Sequence, residues 1–432
     1  MNRFFQFMMM GARAHAQWEI DNAQSILGSR KRLAVLMAML VPIIVGVAYF
    51  AFAQDAGQVL PATVGGSKAY TPAFYSMTIF TVSILIGVVA GLITGCIGAG
   101  GGFIIAPALM SAGVKGILAV GTDLFHIFAK AIMGSVLHRK LGNVNVGLAL
   151  VFLIGAILGA TGGGYINRVL YDINPVLSDA FITTIYSIML GALGFYALGD
   201  FLNARRNAKR SGGEQRIADL GAVPRKVQSL RIPPMIGFDK DLTPGGRSVS
   251  WVFLVAAGAL VGMAAGIMGV GGGFLTFPIF VYALGVSSMT TVGTDIFQIV
   301  FTAGYASITQ YAIYGFIFYT LAMGMLLGSL LGIQVGAMVT KVVSDISIRG
   351  FYAMAVLAGF VNRIFALPTK LASMEIITLS PGTGKILENI GNVAFFAVLG
   401  CFAVWVFYTF FRNIGTLRGT KPTAQHLETQ EA

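Results

Sequence analysis

Gly91-Leu92-Ile93-Thr94-Gly95-Cys96-Ile97-Gly98-Ala99-Gly100-Gly101-Gly102-Phe103 recurs later in the chain as Gly262-Met263-Ala264-Ala265-Gly266-Ile267-Met268-Gly269-Val270-Gly271-Gly272-Gly273-Phe274. The match extends outward on the C-terminal side. Pro107 pairs with Pro278, and Val120-Gly121-Thr122-Asp123 with Val292-Gly293-Thr294-Asp295. Gly142, Gly155 and Gly159 pair with Gly315, Gly328 and Gly332, and the offset drifts only from 171 to 173 residues. The chain therefore carries an internal duplication.

The duplicated segments are apolar. Of 432 residues, 56% are hydrophobic and 11% charged, against about 25% charged in a soluble domain. The apolar residues come in blocks of roughly twenty, the thickness of a bilayer core. Both features predict an all-α, polytopic membrane protein. The net charge of +12 resides in loops and tails, so it marks cytoplasmic segments and not a nucleic-acid partner. Cys96 and Cys401 lie in apolar segments, and neither a disulfide framework nor a zinc spacing exists. With four scattered histidines, no metal site and no cofactor are expected.

Charge places the segments. Residues 1–73 should hold a cytoplasmic stretch ending in Ser29-Arg30-Lys31-Arg32, an uncleaved membrane run from Leu33 to Ala53, and an external loop. Residues 74–203 form the first membrane repeat and 249–388 the second. Between them, 204–248, with eight basic residues between Arg205 and Arg231 alone, reads as a mobile cytoplasmic linker. Residues 389–432 should hold a last membrane helix, from about Val393 to Phe411, and a cytoplasmic tail. His138-Arg139-Lys140 ends a helix in the first copy, whereas the equivalent turn, Tyr311 to Gly315, has no charge. The two turns then lie on opposite sides, which makes the copies inverted repeats with both termini cytoplasmic, an architecture of secondary transporters.

Each repeat should contain four long helices and one short segment, Phe103–Gly113 or Phe274–Gly285, about 18 Å of helix and too short to span. The short segments follow the glycine breaks. In a membrane such a break is tolerated where it lines a cavity or packs against protein, and the new helix presents unpaired N–H groups that suit an anion. The candidate site is thus Gly98, Gly100, Gly101, Gly102 and Phe103 with Gly269, Gly271, Gly272, Gly273 and Phe274. Close helix packing is the competing role for these glycines. A P-loop is excluded, since the Lys-Ser/Thr and the βαβ context are missing.

Asp123 and Asp295 form a second pair. A carboxylate deep in a bilayer costs about 2.5–3.5 kcal/mol, so coupling to a proton and capping a helix start both stand as readings. His126, its counterpart Gln298, and Lys130 are candidate polar lining. Lys130 is also expected to snorkel toward the surface. Cys96, whose counterpart is Ile267, reads as a space-filler.

Gly95 to Pro107, its second copy and the two Gly-Thr-Asp stretches resemble the sulfite exporter TauE/SafE family over residues 78–410. The resemblance implies a transporter of small, often sulfur-containing anions, such as sulfite, sulfonates or sulfoacetate, in the bacterial inner membrane. It further implies that the glycine breaks and the Thr122 and Thr294 regions bind substrate. The N-terminal region and the basic linker depart from that pattern, as do Asp123 and Asp295, where many relatives carry Ser. No nucleophile–base pair or cofactor motif accompanies the breaks, so an enzyme is not expected. The expected partners are a small anion and the lipid bilayer, with a homo-oligomer left open. A passive anion channel and a non-transporting membrane scaffold remain the alternatives.

Overall fold

The computed structural model describes residues 77–97, 101–140, 144–210, 222–239, 246–339, 342–343 and 345–413. The expected first membrane run, Gly98, Gly100 and the C-terminal tail lie outside the described residues. The first repeat comprises α1 (Met77–Ile97), the short α2 (Gly102–Ser111), α3 (Gly116–Lys140), α4 (Val146–Ile173) and α5 (Pro175–Arg210). The second comprises α7 (Trp251–Met268), the short α8 (Gly273–Pro278, continued as a π-helix over Ile279–Leu284), α9 (Ser288–Tyr305, continued as a π-helix over Ala306–Tyr311), α10 (Tyr319–Val339) and α11 (Asp345–Ser373). Between the repeats lie α6 (Ala222–Ser229) and a hairpin of β1 (Met235–Phe238) and β2 (Arg247–Ser250), and α12 (Pro381–Arg412) follows them.

Four long helices and one short segment therefore stand in each copy. The short helices begin at Gly102 and Gly273, one residue before the expected Phe103 and Phe274. The last helix starts at Pro381, well before the expected boundary at 389. Ser380 caps it, accepting from the Thr383 amide, and Pro381 enters its first turn without losing a needed N–H.

Seven of the described helices are long and apolar enough to cross a membrane: α1, α4, α5, α7, α10, α11 and α12. Each buries one face and exposes another that is equally apolar, as at Leu150, Ile154 and Leu158 on α4 or Val404 and Tyr408 on α12. Outward apolar faces of this kind suit lipid, so the chain is a multi-pass membrane protein. The central helices α3 and α9 carry Asp123, His126, Asp295 and Gln298 on buried faces, while Ile132 and Phe301 on their other faces are exposed.

The helices pair across the duplication. Helix α1 runs along α10, and α4 along α7, at backbone contact. A Cβ on Gly159 would sit 2.0 Å from the Ala259 carbonyl oxygen, and one on Gly262 would sit 2.1 Å from that of Ala156. In the other pair a Cβ on Gly328 would sit 2.0 Å from the Ile84 oxygen, and one on Gly332 would sit 2.2 Å from that of Val88. Glycine every fourth residue keeps these stripes bare, which is how apolar helices gain contact when lipid removes the hydrophobic drive.

Equivalent helices run antiparallel to each other. On α5 and α11, Gly194 meets Leu357 while Phe201 meets Gly350. Ion pairs close both ends, Asp179–Lys370 and Asp200–Arg349, each at 3.3 Å. On α3 and α9, Gly121 lies against Tyr311 just beyond α9, and Phe128 against Gly304. Equivalent elements pointing opposite ways make the repeats inverted.

The segment expected as a mobile linker carries structure in its described part. Its residues hold the turn between α8 and α9. Gln228 donates to the Leu284 carbonyl at 2.8 Å and Arg247 to that of Gly285 at 3.0 Å. Asp239 accepts from the Ser287 amide (2.8 Å), the Ser287 hydroxyl (2.7 Å) and the Thr290 hydroxyl (2.6 Å). The cue was one of four carboxylates in a basic segment, with no periodicity to announce it.

Three outcomes follow. Gly159→Val forces a side chain into the Ala259 carbonyl, and the expected loss is about 3 kcal/mol, read as a lower melting temperature in detergent. Gly400→Ala, where nothing lies within 4 Å, should melt as wild type. Asp239→Ala removes three acceptor contacts and should speed amide exchange at Ser287 and Thr290 by the equivalent of about 1–3 kcal/mol, with the α4–α7 amides unchanged.

Candidate functional site

The two breaks meet. Gly101, at φ 66°, precedes α2, and Gly272, at φ 91°, precedes α8. Such left-handed backbone admits glycine without strain. Gly269 and Gly271 share that conformation. A Cβ on Gly102 would come within 3.1 Å of the Val270 backbone, so the first break touches the second. Gly269 packs in turn on the Val120 backbone of α3. Gly101, Gly102, Gly269, Gly271 and Gly272 are buried, and Ile127 from α3 lies against both Gly102 and Gly271, Thr94 against Gly101, and Val261 against Gly272. Phe103 and Phe274 are buried on their short helices, and Phe103 stacks edge-on with Tyr352 of α11 at 5.8 Å.

A helix that stops in mid-membrane leaves carbonyl groups without partners. Helix α7 stops at Met268, and side chains of other elements take its last carbonyls. Asn167 of α4 donates to Gly266 at 3.2 Å and Ile267 at 3.0 Å. The Tyr311 hydroxyl donates to Gly266, and the Tyr186 hydroxyl of α5 to Met268. The second break is therefore held open as a fixed backbone shape, not left to collapse.

Thr122 and Thr294 play matching parts. The Thr122 hydroxyl accepts from the Phe318 amide at 2.9 Å, just before α10, and that of Thr294 from the Asn145 amide at 3.0 Å, just before α4. Each threonine steadies the entry to the third long helix of the opposite repeat.

The aspartates stand two turns inside α3 and α9, so neither caps its own helix. Ser287 caps α9, accepting from the Thr290 amide. The capping reading fails because both helices begin earlier than the Thr-Asp pairs suggest. Asp295 instead lies at the start of α8, its Oδ2 2.9 Å from where a Gly273 Cβ would stand. Gln298 Nε2 donates to Asp295 Oδ1 at 2.9 Å, and Thr302 donates to Gln298 Oε1 at 2.7 Å. On α3, His126 Nε2 meets the Ser329 hydroxyl at 2.9 Å, and its Nδ1 stands 3.6 Å from Asp123 Oδ1. Lys130 turns inward and does not snorkel. Its Nζ donates to Thr94 Oγ1 at 3.3 Å, beside Gly101. Cys96 is buried and donates to the Gly336 carbonyl at 3.3 Å.

Asn167, Tyr186 and Tyr311 escape a reading of the sequence, since Asn167 falls in what looks like a loop and tyrosines are common at membrane interfaces. Arg363 announces itself only as a cation within an apolar run. It is buried on α11 and donates to the Pro107 carbonyl at 3.2 Å and the Ser111 hydroxyl at 2.7 Å, holding the C-terminal end of α2. That end of a helix favours a cation. Among the described residues no cluster suited to a metal ion is present.

Known proteins share this chain's pattern. It is similar to the "probable membrane transporter protein YjnA" of Bacillus subtilis, with 24% identity over 59% of this chain and 87% of that protein. YunE of the same organism, also a "probable membrane transporter protein", is 22% identical over 61% and 89%. "Sulfite exporter TauE/SafE family protein 6" of Arabidopsis thaliana is 32% identical over 26% and 28%. No solved structure matches. The model of the family "Sulfite exporter TauE/SafE" matches residues 83–362, well over half of the chain, and with the paired breaks and inverted repeats described above, the chain belongs to the sulfite exporter TauE/SafE family.

Proposed function

We propose that this membrane transporter moves a small anion, of the class of sulfite, sulfonates or sulfoacetate, by alternating access at the junction of the two glycine breaks. It does so in a bacterial inner membrane with both termini cytoplasmic. The observation that carries the reading is the contact of Gly102 with the Val270 backbone. Two helix interruptions, related by inversion, converge on one point from opposite sides, the arrangement in which a central site is exposed to each face in turn.

The electrostatics of the first break favour an anion. The start of α2 carries a partial positive charge, and Lys130 reaches Thr94 beside it. The second break differs, since Asp295 already stands at the start of α8. The first break is thus the part of the junction that would hold the anion's charge. Gly101, Gly102 and Phe103 would present the helix start, while Gly269, Gly271, Gly272, Gly273 and Phe274 would shape the opposite wall. Ile127, packed on both breaks, is the residue that must move for access. Family relatives described as membrane transporters support transport in general, and the anion class comes from the family description.

The test is uptake of radiolabelled sulfite into proteoliposomes. Gly101→Val and Gly272→Val should each lower saturable uptake by tenfold or more, equivalent to about 1.4 kcal/mol of lost binding or more. Gly199→Ala, with nothing within 4 Å, should match wild type. Full uptake in both valine variants would remove the breaks from the mechanism, and linear, unsaturable flux in the wild type would make the protein a channel.

A further inference from the structure

The duplication offers an internal comparison. Asp123, His126 and Lys130 on α3 stand where Asp295, Gln298 and Thr302 stand on α9, each 172 residues apart. The second ladder is complete: Thr302 donates to Gln298, whose amide donates to Asp295. The first ladder is not. Both Asp123 oxygens and His126 Nδ1 are buried and have no hydrogen-bond partner.

His126 Nε2 lies 2.9 Å from the Ser329 hydroxyl, which also stands 3.3 Å from the Gly87 carbonyl oxygen. If the hydroxyl donates to Gly87, Nε2 carries the ring hydrogen and Nδ1 is a bare lone pair; if it donates to Nε2, the ring hydrogen is on Nδ1. In both arrangements Nδ1 stands 3.6 Å from Asp123 Oδ1, too long for a formed hydrogen bond, so a buried carboxylate and a buried imidazole face each other without one. In the first arrangement the two acceptors repel, and one added proton resolves the mismatch. The second repeat needs none, because Gln298 brings its own donor.

We infer that Asp123 and His126 form a single-proton site, the coupling site of the transporter, and that Asp295 is a fixed structural carboxylate that takes no part in proton movement. The proton resides on the Asp123 carboxyl and points at His126 Nδ1, since an apolar interior favours the neutral pair over an ion pair. The surrounding groups fit this placement. Helices α2 and α7 bring no titratable side chain, and the only one on α10 is Tyr319 at its start. From α5 the Tyr186 hydroxyl, and from the π-helix after α9 the Tyr311 hydroxyl, are engaged by the Met268 and Gly266 carbonyls. Arg168 of α4 is held by Gln310, and Asp295 of α9 by Gln298. Lys130, one turn beyond His126, is the nearest cation on the same helix, directed to Thr94; Arg139 and Lys140 lie at its far end. A proton entering with an anion bound near Lys130 would leave the site neutral as a whole. This role in coupling rests on the proposed transport of an anion at the breaks. The proton site itself does not.

Two measurements separate the claims. Infrared difference spectra of the purified full chain should show the C=O stretch of a protonated carboxyl in wild type minus Asp123→Asn, and no such band in wild type minus Asp295→Asn. His126→Gln places in the first copy the donor that the second copy has, and should abolish the band while leaving the melting temperature near wild type. Absence of the band from the first difference, or its appearance in the second, overturns the proton site. In proteoliposomes holding a pH-sensitive dye, a sulfite gradient should move about one proton per sulfite, and Asp123→Asn and His126→Gln should bring that ratio to zero. Asp295→Asn should keep the ratio on whatever flux it retains. Sulfite movement without protons in the wild type overturns the coupling and leaves the transporter. A wild type that moves no sulfite overturns the transport reading, and the infrared result still decides the proton site.

Discussion

Backbone-to-backbone contact along two glycine stripes is the constraint from which the rest of the architecture follows. Helix α1 lies on α10 and α4 on α7, so close that a single methyl group at Gly159 or Gly328 would overlap a carbonyl oxygen. Each pair takes one helix from each copy. The duplicated halves are consequently not two domains joined by a linker but one interlocked body. Within it α3 and α9 are pressed together antiparallel, and the two breaks that flank them are brought into contact.

That framework makes a polar interior tolerable. A carboxylate or guanidinium facing lipid would be costly. Asp123, Asp295 and Arg363 are instead enclosed by helices whose apolar faces meet the bilayer. The carbonyl groups freed where α7 stops are likewise answered by Asn167, Tyr186 and Tyr311. Duplication then allowed divergence without loss of shape. The α9 ladder closed on itself through an amide and a hydroxyl, while the α3 ladder kept a histidine and a lysine. The order of helices is the same in the two copies, but the chemistry is not.

The pieces that were readable in advance depend on local rules. Blocks of apolar residues set the helices. Runs of glycine set the breaks to within one residue, and the loop charges set the inverted relation, which the antiparallel α3–α9 and α5–α11 pairs bear out. The misreadings were of groups whose partners are remote in the chain. Thr-Asp looked like a helix cap, but α3 and α9 begin two turns earlier. Lys130 looked free to reach the surface, but Thr94 of α1 lies beside it. The basic segment looked unstructured, but Asp239 binds the start of α9.

From residues alone, then, came the duplication, the membrane class, the order of long and short helices and the places where helices must stop. These properties are governed by neighbours within a turn or two, or by the solvent each block prefers. Tertiary structure alone decided which helix pairs with which, how the breaks are closed, and which of two equivalent aspartates is left without a donor. Those outcomes turn on contacts between residues far apart in the chain, 45 positions for Tyr311 and Gly266 and 203 for His126 and Ser329, and no local pattern encodes the distance between them.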